Sequence, residues 1–380
     1  MRSEAGLFRE AAAVWPTGRE REMNLSVGFR AVFRTTGKER VWLRVTGSSF
    51  YRAFVNGEFV GYGPARAGHG AYRVDEWEIT GEISAGRNVA AIELAGYNVN
   101  GYALLDQASF VQAEVVQGGK VLAATGRARG GFKAYVLGEK AQRVERYSFQ
   151  RPFVEYYRLG AGWDAWRKDG EVKRKAIACA RQERKRVIER EAPYPAFDMY
   201  QPMRTTGGGK VVKVELPTTP WKGTGLTSVG PDYRGFGEKE LEVSPTFELQ
   251  GYGAQPEVMQ AREWKPGERM ELGSWSYRVA DFGQNRTGFL RARVRCRRKT
   301  KLYLTFDELL TQGGDINWAR MGCTSAVGYE LEPGRYELET FEPYELRYLK
   351  VMVLEGEAEV EKNLQEEEKA EVAKNLEEGK

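Results

Sequence analysis

Apolar and polar residues alternate with a period of two along most of the chain, from about residue 25 to residue 355. That spacing places successive side chains on opposite faces of a strand. In VGFRAVFRTT, Val27, Phe29, Ala31 and Phe33 share one face, and in VWLRVTG so do Val41, Leu43 and Val45. FYRAFVNGEFVGYG supplies two β-prone arms around Asn56-Gly57, a pair suited to the positive φ angles of a type I′ hairpin turn. SAGRN (84–88) leads into the strand pattern VAAIELAGY, and FVQAEVV (110–116) adds another.

Between about residues 143 and 200 the alternation loosens. RYSFQRPFVEYYRL reads as a strand closing the first unit, and the basic run VKRKAIACARQERKRVIERE precedes APYPAFD, whose prolines favour an extended connection. Alternation then resumes. In FLRARVRCRRKTKLYLTF, Leu290, Ala292, Val294 and Cys296 face one way and Arg291, Arg293, Arg295 and Arg297 the other, so the basic cluster is a solvated strand face. VGYELE, GRYELETF and LRYLKVMVLEG are further strands, and TTGGGKVV (205–212) reads as a flexible hairpin turn. The pattern predicts an all-β chain of two antiparallel, jelly-roll-like β-sandwich domains in tandem, ending in a short acidic helix or disordered tail. The expected units are an N-terminal extension (1–24), a first sandwich (25–190), a linker (191–200), a second sandwich (201–356) and the tail (357–380). The tail reading rests on Val360, Leu364, Val372 and Leu376, which are spaced by multiples of four.

Charge and composition narrow the function classes. The net charge is +5, but the segment from Gly356 to Lys380 holds nine Glu and four Lys, leaving the excess of positive charge on the sandwiches. No aromatic stacking pattern accompanies the arginines, so no nucleic-acid partner is expected. No run of about 18 apolar residues exists to span a membrane, and the N-terminus lacks the apolar core of a secretory signal. Three widely separated cysteines, Cys179, Cys296 and Cys323, point to free thiols and a cytoplasmic setting.

The usual catalytic signatures are missing from the sequence. His69, in GYGPARAGHG, is the only histidine, so a serine triad would depend on it alone, and no G-x-S-x-G element is present. HExxH and paired CxxC metal motifs are excluded, and no cofactor is expected. GYGPARAG is flanked by hairpin patterns, with no helix to receive a phosphate. Carboxylates remain, since a glycosidase needs two about 5 to 9.5 Å apart. The candidates are Asp75 with Glu76, Asp106, Asp281, and Asp307 with Glu308, each of which also fits a turn or ion pair. Sugar binding asks less: an aromatic face and polar side chains for the hydroxyls. ARAGHGAYRVDEW (65–77) and AGYNVNGYALLDQ (95–107) supply that mixture through Arg66, His69, Tyr72, Asp75, Tyr97, Asn98, Asn100, Tyr102 and Asp106. The same aromatics equally suit the edge of a core. His69 is read as a loop hydrogen-bonding group.

FVNGEFVGYGPARAGHGAYRVDEWEIT, continuing to GRNVAAIELAGYNVNGYALLDQASFVQAEV, resembles the N-terminal β-sandwich of bacterial α-L-rhamnosidases of glycoside hydrolase family 78. YRVADFGQNRTGFLRARV, with Asp281, Phe282, Gly283, Gln284, Asn285 and Gly288, resembles the second sandwich of those enzymes, as do LYLTFDELL and FEPYELRYLKVMVLEG. The resemblance covers nearly all of residues 20 to 355. It implies an inverting hydrolase whose acid and base lie in an (α/α)₆ barrel after the sandwiches, where this sequence has the acidic tail. No catalytic residue carries over. A deliberate fragment, a truncated product and a naturally short accessory protein all remain open. The expected role is support of that catalytic domain, with contact to a rhamnose-containing glycan, and the chain alone is expected to be inactive. The alternative is an autonomous carbohydrate-binding module.

Overall fold

The computed structural model describes residues 6–37, 39–168, 170, 172–218, 232–257, 261–265 and 268–361. It is all-β, built as two sandwiches, and the only α-helix among the described residues is Pro245–Gln250. In the larger sheet of the first sandwich the order is Cys179–Arg181, Val14–Pro16, Phe110–Gln117, Val41–Ser48, Ala71–Glu78 and Arg186–Glu189. Lys120–Ala124 joins that sheet beside Phe110–Gln117. Opposite lie Lys133–Val136, Leu25–Thr35, Gly86–Gly96, Phe50–Val55 and Glu58–Gly63. The apolar faces read from the sequence form this core, with Val27, Phe29, Ala31 and Phe33 in one sheet and Val41, Leu43 and Val45 in the other. Asn56 and Gly57 have φ of 52° and 94°, the backbone that the hairpin turn requires.

The second sandwich stacks two sheets. The larger runs Glu155–Leu159, Ala326–Leu331, Thr300–Asp307, Tyr344–Glu355, Ser276–Gly288, Arg204–Lys213 and Tyr252–Pro256, with Arg262–Glu263 also on Arg204–Lys213. The smaller runs Arg269–Gly273, Glu357–Glu361, Arg291–Cys296 and Gly334–Glu339. Val294 and Cys296 are buried, while Arg291 and Arg293 both pair with Glu337 and Arg297 pairs with Glu359. The basic run is therefore a neutralised strand face.

The units are less separate along the chain than the sequence predicts. Val14–Pro16, expected in an N-terminal extension, is a strand of the first sandwich. Glu155–Leu159, expected to close the first sandwich, instead pairs in parallel with Ala326–Leu331 at the edge of the second. The chain then returns. Cys179–Arg181 and Arg186–Glu189, within the loosely patterned basic run, add strands to the first sandwich. On this return Trp166 covers the outer face of Leu25–Thr35, where a Cβ on Gly28 would lie 2.8 Å from its ring. Arg30 on the same face donates to the carbonyl of Lys168 at 3.1 Å.

Two more corrections concern glycines and the C-terminus. TTGGGKVV is not a hairpin turn but the interior of Arg204–Lys213, between two antiparallel neighbours. A Cβ on Gly208 would lie 2.6 Å from Cδ of Arg278, so the glycines serve close strand approach. Glu357–Glu361, expected to begin the acidic helix or tail, is a strand with Ala358 and Val360 buried and its glutamates turned to arginines, as in Glu359–Arg297 at 2.9 Å. EAEVE has a period of two, which the four-residue spacing of the following apolar residues masked. The rest of the predicted tail, 362–380, lies outside the described residues.

Candidate functional site

The two sugar-type stretches meet at one end of the first sandwich. Tyr72 Oη donates to Oε1 of Gln107 at 2.8 Å, and Gln107 in turn donates to Ser48 Oγ at 3.0 Å. The Tyr72 ring rests edge-on against Phe110 at 4.7 Å, and burial pushes its hydroxyl pKa up. Arg66 and His69 lie on the exposed loop before Ala71–Glu78, and the Arg66 carbonyl accepts from Arg73 Nε at 2.9 Å.

Three of the predicted residues are structural. Asp75 is fully buried: Oδ1 accepts from Arg190 Nη1 at 2.8 Å and Oδ2 accepts from Tyr51 Oη. Burial raises its pKa against the opposing hydrogen bonds from Tyr51 and Arg190. A raised pKa suits a general acid, but a wholly enclosed carboxyl cannot reach a glycosidic oxygen. Tyr97, 1% exposed, donates to Glu342 Oε1 across the contact between sandwiches. Asn98, 2% exposed, adopts a positive φ of 50° and donates to the Glu22 carbonyl at 2.8 Å.

Asn100, Tyr102 and Asp106 come together at the surface. Asn100 Oδ1 accepts the Asp106 N–H at 2.8 Å, and its Nδ2 donates to the Asp232 carbonyl at 2.8 Å. Asp106 pairs with Arg234 at 3.0 Å, and Arg234 also donates to the Asn98 carbonyl at 2.8 Å. Beside this polar group Tyr102 is 79% exposed, Phe149 47% and Tyr233 41%. Phe149 links them, with ring centres 6.4 Å from Tyr102 and 6.2 Å from Tyr233. Arg146, fully buried beneath, donates to the carbonyls of Asn100, Phe149 and Arg234 at 2.7, 3.0 and 2.8 Å. One guanidinium thus ties together three loops that are far apart in sequence. The result is an exposed aromatic surface with a fixed carboxylate, guanidinium and amide at its edge, which is the chemistry of a sugar subsite or a protein contact.

Sequence reasoning missed Phe149, Tyr233 and Arg234. Their signal is an aromatic within turn-forming residues, in YSFQRP and GPDYRG, where no strand alternation accounts for it. The remaining carboxylate candidates are tied to arginines. Asp281, at the bulge that DFGQN makes in Ser276–Gly288, is bound by Arg204 at 2.9 Å and Arg347 at 3.0 Å. Asp307 and Glu308 share Arg320, at 2.5 and 3.0 Å, and Glu76 pairs with Arg44 at 2.7 Å.

With this geometry the chain can be set beside known proteins. No protein-family model matches it, and no curated protein matches it in sequence. The crystal structure of a family GH78 rhamnosidase from Bacillus sp. GL1 superposes with a TM-score of 0.67 at 15% identity, over 92% of this chain and 54% of that one. The native α-L-rhamnosidase of Aspergillus terreus gives 0.55 at 14% identity, over 93% of this chain and 36% of that one. The shared property is the fold. This chain spans about half the length of the Bacillus protein and about a third of the Aspergillus protein.

Proposed function

We propose that this chain is the non-catalytic β-sandwich portion of an α-L-rhamnosidase-like glycoside hydrolase. In this reading the Tyr102, Phe149 and Tyr233 face packs against a mainly helical catalytic domain, and Asp106, Arg234 and Asn100 contact a rhamnose-containing glycan at its margin. The observation that carries the reading is the exposed aromatic cluster on a rigid, Arg146-tied base. Large exposed aromatics in company are unusual on a surface with no partner. The likeness in fold to the Bacillus rhamnosidase supports the choice of hydrolase. Ion pairing of Asp75, Asp106, Asp281, Asp307 and Glu308 supports a non-catalytic role. The three free cysteines favour a reducing, cytoplasmic setting.

An autonomous carbohydrate-binding module is the second reading, favoured by the same mixture of aromatic and polar groups. Calorimetric titration of the whole chain with L-rhamnose and a rhamnosylated glycan tests both. Binding heat weakened about fivefold or more by Tyr102→Ala supports sugar contact, since a stacked aromatic contributes roughly 1 kcal/mol. Adding a helical rhamnosidase domain in trans separates the readings: the first expects association lost in Phe149→Ala, the second expects none. Hydrolysis of an aryl α-L-rhamnoside by the chain alone, abolished by replacing one carboxylate, overturns both.

A further inference from the structure

We propose that the cavity running from the joint between the two sandwiches into the second one, between its sheets, binds a small amphiphilic carboxylate, its apolar body inside and its carboxylate on Arg286. The cavity measures about 590 Å³, within the range of small-molecule sites. Residues 195–202 of the connection between sandwiches line it on one side. Phe59, Tyr62, Phe197 and Phe289 form an aromatic end, with Phe197 edge-on to Phe59 at 5.0 Å and Tyr62 edge-on to Phe289 at 5.2 Å. Met270 and Val360 from the smaller sheet and Leu349 and Val351 from the larger form an aliphatic end. Side chains from facing sheets normally interdigitate and leave few voids larger than a water. Here they leave a space that apolar matter would fill.

The polar groups identify the ligand's head. Arg291 and Arg293 also line the cavity, and both pair with Glu337, at 3.1 and 3.0 Å. Glu339 is taken by Arg52 at 2.5 Å, Glu361 by Arg269 at 3.3 Å, and Asp198 is exposed. Arg286 differs. Its guanidinium lies 3.3 Å from the centre of the Tyr200 ring, and its Nε is buried without a hydrogen-bond acceptor. No ion pair engages it among the described residues. Stacking covers a guanidinium's face and leaves its donors pointing outward in the guanidinium's own plane, where a carboxylate matches their fork. The protein itself closes off Nε, so the ligand's carboxylate would meet the two η nitrogens, which no hydrogen bond engages among the described residues.

This assignment is independent of the sugar-binding reading and is tested with dodecanoate and its neutral analogue dodecanol. Calorimetry on the whole chain is expected to show micromolar dodecanoate binding. Arg286→Leu should weaken dodecanoate about tenfold or more, as loss of a charged hydrogen bond does, and leave dodecanol unchanged. Ala292→Phe, which fills the cavity from the smaller sheet, should abolish binding of both at an unchanged melting temperature. Val351→Phe serves the same purpose should Ala292→Phe not fold. No binding at millimolar dodecanoate, equal affinity in Arg286→Leu, or binding that survives cavity filling would each overturn the proposal.

Discussion

Replacing Asp281 by Asn separates a structural carboxylate from a catalytic one at the DFGQN bulge. The Asp281 side chain is fully buried. Its Oδ1 accepts from the Gly283 N–H at 2.7 Å and Arg347 Nε at 3.0 Å, and its Oδ2 accepts from Arg204 Nη2 at 2.9 Å. Burial by itself would raise the carboxyl's pKa, but the hydrogen bonds from Arg347, Gly283 and Arg204 outweigh it and hold it at about 2. Against an ordinary value near 3.9, that depression corresponds to roughly 2.5 kcal/mol of folding free energy. Arg204 and Arg347 are partly exposed, at 49% and 33%, so solvent screening brings the expected cost of Asp281→Asn to about 2 kcal/mol. Because the folded pKa is lowered, the stabilisation is complete above about pH 5 and fades as pH falls towards 2, with about half gone near pH 3. Urea denaturation of wild type and Asp281→Asn at several pH values reads this as a gap between midpoints that narrows on acidification. A gap below about 0.5 kcal/mol at neutral pH, or one that stays constant down to pH 3, refutes the reasoning.

Two further substitutions probe the surface and the joint between sandwiches. His69→Ala should leave the urea midpoint within about 0.5 kcal/mol of wild type, because the side chain is exposed and has no hydrogen-bond partner among the described residues. A larger loss would show that the loop depends on it. Glu155→Gln should cost roughly 2–3 kcal/mol, measured by thermal and urea unfolding. The buried carboxylate accepts from the Phe341 and Glu342 N–H groups at 2.6 and 2.9 Å and from Tyr344 Oη at 2.9 Å, so an amide NH₂ there would face donors.

The fold was legible wherever one face of a strand met the core and the other met water, as in Arg291–Cys296 and Gly334–Glu339. It was least legible where the chain changes partners. Glu155–Leu159 carries Glu155, Tyr156 and Tyr157, all buried, and so shows no alternation. Its burial comes from the distant strand Ala326–Leu331 and from residues 341–344, which no local pattern announces. Trp166 likewise makes Gly28 and Arg30 interior residues, although their strand alone suggests a solvated face.

The same weaving explains the fate of the predicted site. Aromatic and polar residues around 95–107 satisfy the composition of a sugar subsite, but composition does not say which surface is already taken. The second sandwich takes Tyr97, through Glu342, while Asn98 sets a backbone turn against Glu22, and neither keeps a free face for a ligand. Asn100, Tyr102 and Asp106 come just after that contact and remain at the surface, because Arg146 anchors the neighbouring loops from below and leaves their side chains outside. Tyr97→Ala would therefore report on the joint between sandwiches, whereas substitutions at Asn100, Tyr102, Phe149 and Tyr233 are the ones that test the proposed binding at this end.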